Sequence, residues 1–216
     1  MAIQLDHSRL FKSIGLELNQ HIDLALIKIC VFVVASVPFI LMIIDSATEN
    51  LGPNPVESLI SRSGTWSLRF LLLAFALTPL RMLTGLNIVN RFRRMLGLYA
   101  FFYCSIHLAA FIVFEHAANL DFIVEDILLS EFKQIGLLSY LMLVPLALTS
   151  TQSMMRRLGK RWKKLHNTIH VILWLSILHF VLLVKADFRD PIMYGFILFS
   201  LQFIRGIYRH YRSMVR

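Results

Sequence analysis

Along the chain, long apolar runs alternate with short polar connections. Six runs stand out, at about residues 26–44, 66–85, 96–114, 133–151, 167–184 and 192–208, each near the roughly 20 residues a helix needs to cross a bilayer. Their apolar positions are continuous rather than alternating, which predicts lipid-facing or buried helices and not half-buried strands. The predicted fold class is all-α: a polytopic membrane helical bundle with six transmembrane helices. Ahead of the first run, Leu10, Phe11, Ile14, Leu18 and Ile22 recur at helical spacing. That pattern predicts an amphipathic helix on the membrane surface. The expected organisation is an N-terminal segment 1–25, a transmembrane domain 26–208 and a tail 209–216. No period of 20 to 50 residues marks a repeat. Connections of at most about 18 residues leave no room for a soluble nucleotide-binding domain.

Composition agrees. The chain is 57% hydrophobic and 16% charged, whereas a soluble domain is nearer a quarter charged. The first run starts too late for a signal peptide, and no small-residue cleavage site follows it. The two cysteines, Cys30 and Cys104, lie inside apolar runs and read as small hydrophobes. They offer neither a disulfide framework nor a cysteine metal site.

Lysine and arginine outnumber the acids 22 to 13. Their placement explains the excess better than a nucleic-acid partner does. Arg91, Arg93 and Arg94 sit in one connection, and Arg156, Arg157, Lys160, Arg161, Lys163 and Lys164 in another. Arg205, Arg209, Arg212 and Arg216 close the chain. The alternate connections are acidic or balanced: Asp45, Glu49 and Glu57 with Arg62; Glu115, Asp121, Glu125, Asp126 and Glu131 with no cation; and the even mix of 185–191. The positive-inside rule then puts both termini in the cytoplasm. The acidic stretch 115–132 is equally a docking surface for a partner or a plain product of topology.

Two of the eight histidines stand out. His107 and His179 lie deep within apolar runs. Each is thirteen residues beyond the cytoplasmic start of its span, roughly 20 Å at 1.5 Å per residue. The two spans run in the same direction, so the imidazoles share one level in the outer half of the membrane. Ionisable side chains inside a span mark function or a buried partner. A planar macrocycle between two such helices, with one imidazole on each side of its iron, fits this placement. A proton-conducting pair is the competing use, although no carboxylate accompanies the histidines within the spans.

His166 opens the fifth span, and His170 follows one turn on. Zinc would need a third ligand, and none is local. At the matching level the third span offers Arg93 and Arg94, cations suited to a propionate or a phosphate. An ideal helix turns about 100° per residue, so His166 and His179 differ by about 140° and share a face only if the helix is distorted. Trp162 and Trp174 read as interfacial or core residues. Gly97 and Gly136 read as sites of close helix packing, and Pro38, Pro79 and Pro145 as bends.

These stretches resemble a known family. "RRMLGLYAFFYCSIHL" (93–108), "LALTST" (146–151), "RRLGKRWKKLHNTIHVILWLSILHF" (156–180), "NPVESLISRSG" (54–64) and "LTPLR" (77–81) are similar to the MsrQ (YedZ) family, within the ferric-reductase-like transmembrane group. The resemblance covers about residues 50 to 195. It implies a haem b subunit of a bacterial inner-membrane system. Such a subunit passes electrons from a cytoplasmic flavin or NAD(P)H donor, or a flavin reductase, to MsrP, a periplasmic molybdopterin enzyme that repairs methionine sulfoxide in oxidised proteins. It further implies one haem, or two, and FMN as an additional candidate cofactor. Carried over by position, the haem histidines are His107, His166 and His179, with Arg93 and Arg94 near the inner site. His170 stands where the family is expected to carry an aromatic residue such as tyrosine, so it is not assigned as a ligand. The alternatives are a ferric or other metal reductase of the same fold and a non-redox proton-conducting membrane protein.

Overall fold

A computed structural model of the chain describes residues 24–214. The expected amphipathic helix lies outside the described residues. Nine α-helices follow one another: α1 Leu24–Ala47, α2 Pro55–Thr84, α3 Arg93–Ala110, α4 Leu120–Leu129, α5 Glu131–Leu148, α6 Gln152–Leu158, α7 Lys160–His166, α8 Ile169–Leu183 and α9 Arg189–Met214. Among the described residues, six helical segments are long and apolar enough to cross a membrane, as expected. Their outward faces carry side chains such as Val34, Leu83 and Phe196, each at least 65% exposed. In a soluble protein that would be a liability; here lipid covers them. The last helix runs to Met214, so the boundary expected at 208 marks no break in structure.

The bundle has two chemically distinct ends. One gathers Asp45, Glu115, Asp126 and Glu131 and is called the acidic end. The other gathers Arg91, Arg93, Arg94 and the cations of α6 and α7, and is called the basic end.

The second span differs most from expectation. It was expected to begin near residue 66, but α2 begins at Pro55 and is 30 residues long. Local chemistry sets the start. The Asn54 side chain accepts from the Glu57 N–H and donates to the Glu57 carboxylate, and Pro55 occupies the first helical position. Gly85, in the left-handed region, ends the helix with its N–H on the Arg81 carbonyl. Thirty residues rise about 45 Å, more than the roughly 30 Å apolar slab. The first turns of α2 therefore stand at the acidic end, where Arg62 pairs with Asp45 at 2.5 Å.

Two helical hairpins form the centre. The first is α2 with α3; the second is α5 with α8, joined through α6 and α7. Their interactions repeat at a constant offset of 72 residues. Ser67 donates to the Ala100 carbonyl, and Ser139 to the Ile172 carbonyl. His107 hydrogen-bonds the Ile60 carbonyl, and His179 the Phe132 carbonyl. Leu71 and Leu143, and Ala74 and Leu146, are buried at corresponding places. The centre is thus an approximate duplicate, which the shorter repeat periods considered from the sequence did not cover.

The first helix docks through tyrosines. Pro38 interrupts the α1 hydrogen-bond ladder. The Tyr103 hydroxyl fills the gap, accepting from Phe39 N–H at 3.0 Å and donating to the Ala35 carbonyl at 2.8 Å. Tyr103 is fully buried, and Tyr99 adds a bond to the Phe32 carbonyl. Tyr103→Phe strips partners from two backbone groups in an apolar setting. The expected cost is about 1–3 kcal/mol, seen as a lower unfolding midpoint of the purified protein in detergent.

Candidate functional site

His107, on α3, and His179, on α8, meet across the bundle. Their ring centroids are 6.2 Å apart and their planes cross at 82°. Each ring is held from behind. The Nδ1 of His107 lies 2.8 Å from the Ile60 carbonyl oxygen, and that of His179 lies 2.6 Å from the Phe132 carbonyl oxygen. A carbonyl only accepts, so each Nδ1 carries the proton and donates. Each Nε2 is then left with its lone pair, the tautomer a metal ligand requires. The spacing also fits. Two metal–imidazole bonds of about 2 Å, plus about 1.1 Å from each nitrogen to its ring centre, sum to roughly 6.2 Å.

Both rings stand where a side chain is missing. A β-carbon on Gly64 would lie 2.9 Å from His107 Nδ1, and one on Gly136 would lie 2.8 Å from His179 Nδ1 and Cε1. Each glycine sits one turn after the carbonyl that holds its histidine. Gly136 was expected to allow close packing, and it does so against the imidazole. Gly97 was expected to do the same, yet a β-carbon there meets nothing within 4 Å. Gly64 was not singled out. Its signal was its place 43 residues before His107, the separation of Gly136 from His179.

At the basic end, His166 closes α7 and His170 lies in the first turn of α8. The distortion needed between His166 and His179 is present. Thr168, His170 and Val171 each donate to the residue three back, and Asn167 donates to residues three and four back. Winding of that kind turns about 20° further per residue than an α-helix, so four such residues recover roughly 80° of the 140° mismatch. His166 stacks on Trp162 with centroids 4.0 Å apart. Trp162 is pinned by its Nε1–H on the Thr149 carbonyl at 2.9 Å, so it is a neighbour of the site rather than a membrane anchor. Arg93 is half-buried and within electrostatic reach of both His166 and His170, while Arg94 is exposed. His170 packs edge-on against Phe75 at 5.1 Å. His116 and His210 lie away from both groups, at the acidic rim and near the end of α9.

The acidic stretch is not a bare loop. It folds as α4, with Ile123 buried. Lys133 reaches back to Asp126 and, at 3.9 Å, to Glu115, and His116 bonds Asp126 at 2.8 Å. Glu115, His116 and Asp126 are close enough to share a cation, but the Lys133 ammonium already takes that place. The Lys133 ammonium, chiefly, holds the Asp126 carboxyl below the usual carboxylate range. A carboxyl depressed in the folded state contributes stability above its unfolded value, about 3.9. That contribution is lost as pH falls through the folded value. Protection from hydrogen exchange across residues 120–129, taken relative to the intrinsic rate at each pH, is therefore expected to fall once pH drops below about 4, and already at neutral pH in Lys133→Met.

Residues 63–178 match the family described as the ferric reductase like transmembrane component. A protein of Xanthomonas euvesicatoria pv. vesicatoria is 50% identical over 151 residues, covering 70% of this chain and 69% of its own. One of Herminiimonas arsenicoxydans is 40% identical over 186 residues, 85% of each chain. Both are named protein-methionine-sulfoxide reductase heme-binding subunit MsrQ. The chain belongs to the MsrQ family. No solved structure matches it. The matched region begins within α2 and ends within α8, one residue before His179; His107 and His166 fall inside it.

Proposed function

We propose that this MsrQ-family chain is the haem-carrying electron-transfer subunit of a protein-methionine-sulfoxide reductase system. The observation that carries this reading is the His107–His179 pair: two imidazoles 6.2 Å apart, each with Nδ1 committed to a carbonyl. A b-type haem supplies one-electron chemistry when bound. The chain's residues do the rest. His107 and His179 offer Nε2 lone pairs, Ile60 and Phe132 fix their tautomers, and the apolar bundle excludes water.

The orientation in the membrane follows from charge. The basic end faces the cytoplasm of a bacterial inner membrane, with both termini on that side. Electrons enter there, from a reduced flavin or a flavin reductase, beside Arg93, Arg94 and His166. His166 with Arg93 forms a second, inner site, for a further haem or for FMN. The acceptor is the periplasmic molybdopterin enzyme MsrP at the acidic end, beyond the His107–His179 level.

The deciding experiment begins with detergent-purified full-length protein. Its absorbance is recorded oxidised and dithionite-reduced, and haem is counted by pyridine haemochrome. One or two low-spin b haems per chain are expected, together with reoxidation of the reduced protein by MsrP and methionine sulfoxide. A colourless protein from haem-supplied cells sinks the proposal. A coloured protein that MsrP leaves reduced would point to a metal-reductase acceptor.

A further inference from the structure

The basic end holds a buried cation near the end of the chain. Arg205, on α9, is 7% exposed. Its guanidinium lies over the Phe75 ring, 4.5 Å from the centroid. Its Nε and Nη1 are buried and have no hydrogen-bond partner. Two further polar atoms nearby share that condition: Gln202 Nε2, one turn earlier on α9, and Thr78 Oγ1, one turn beyond Phe75 on α2. Gln202 is oriented by its oxygen, which accepts from Trp174 Nε1–H at 3.4 Å. Arg93 and Arg209 lie within electrostatic reach of Arg205, and His170 meets the far side of the same cluster through Phe75.

No carboxylate among the described residues is paired with Arg205. The carboxylates in ion pairs among the described residues are Asp45, Glu115, Asp126 and Asp187. All four belong to the acidic end. An unpaired charge with unbonded donors in a low-dielectric bundle is costly unless a counter-ion meets it. The described residues supply no counter-ion to Arg205, which leaves its donors open to an anion that is not part of the protein. Its depth, and its link through Arg93 to His166, make that anion one carried into the bundle by a molecule with an apolar or aromatic body.

We propose that Arg205, with Gln202 and Thr78 beside it, forms an anion site that holds the acidic group of a cofactor at the inner site. The ligand chemistry is an oxygen-rich anion attached to a planar ring system. A propionate and a phosphate monoester both satisfy it. The inference rests on the inner site proposed above and adds the residues that grip its ligand. Arg205 is a positioning and binding residue; it takes no part in electron transfer.

The test uses full-length protein in detergent, with R205Q and the milder R205K beside wild type. Haem per chain is counted, and binding of FMN and of riboflavin is titrated by flavin fluorescence. If the anion is a phosphate, R205Q weakens FMN binding at least tenfold and leaves riboflavin unchanged. If it is a propionate, R205Q loses one haem equivalent or shifts the potential of one haem, with the bis-histidine spectrum intact. R205K, which keeps the charge, falls between wild type and R205Q. Unchanged haem content, potentials and FMN affinity in both variants overturn the proposal. Should R205Q not fold, R205K alone decides, because wild-type behaviour from it in every readout has the same consequence. Wild type without any haem would instead refute the electron-transfer reading, so the two failures are distinct.

Discussion

His179→Ala and His107→Ala will each abolish the low-spin b-type spectrum of the outer site. Each variant would leave one imidazole to hold the haem in place of the two that stand 6.2 Å apart. Alanine supplies no lone pair, and its partner cannot ligate from both sides. The backbone carbonyls of Ile60 and Phe132 lose only one neutral donor each, about 1 kcal/mol, so the helices should still insert and fold. The expected result is protein at near wild-type yield with one haem equivalent missing. His166→Ala should spare that spectrum and affect only the inner site or electron entry. Both alanine variants retaining the full haem complement would falsify the pairing.

Gly136→Ala should be nearly as damaging as loss of the histidine, although it adds one methyl group to a helix. The new β-carbon would lie 2.8 Å from two atoms of the His179 ring. The ring is pinned behind by the 2.6 Å contact to Phe132, so it has little freedom to retreat. Either the carbonyl bond breaks or α5 and α8 separate. In both cases the Nε2 moves, and a metal bond does not tolerate such shifts. Gly64→Ala should act likewise through His107, at 2.9 Å. Gly97→Ala is the control. Nothing lies within 4 Å of its β-carbon, and removing a helix glycine adds roughly 0.5–1 kcal/mol. Haem stoichiometry and the reduced α-band of the three variants check this directly. Haem loss is expected at 64 and 136, with wild-type content at 97. Equal haem in all three would show that the glycines serve backbone packing alone.

The two glycine variants also expose the limits of reading residues one by one. His107 and His179 were legible because an imidazole in a long apolar run is conspicuous and depth along a helix is simple arithmetic. Gly64 was not, because it lies in a stretch with Glu57 and Arg62 whose low hydropathy hid the first eleven residues of α2. The 72-residue duplication was hidden for a related reason. Only some counterparts keep their identity, such as Ser67 and Ser139, Gly64 and Gly136, and His107 and His179; others keep only a role, since Ile60 and Phe132 each supply a carbonyl, and Ala100 and Ile172 a buried carbonyl and volume.

The sequence by itself determined the six crossing helices, the two chemically distinct ends and the level at which two histidines sit. Each of these depends on properties summed along the chain, namely apolar length, net loop charge and rise per residue. Only the tertiary structure decided which ring nitrogen is free, which glycines make room, how the turn after His166 is wound, and that Arg205 is buried without a partner. Apart from the local winding at His166, these depend on atoms distant in sequence meeting within hydrogen-bond or van der Waals range. The Ile60 carbonyl, for instance, reaches an imidazole 47 residues away, which no local pattern encodes.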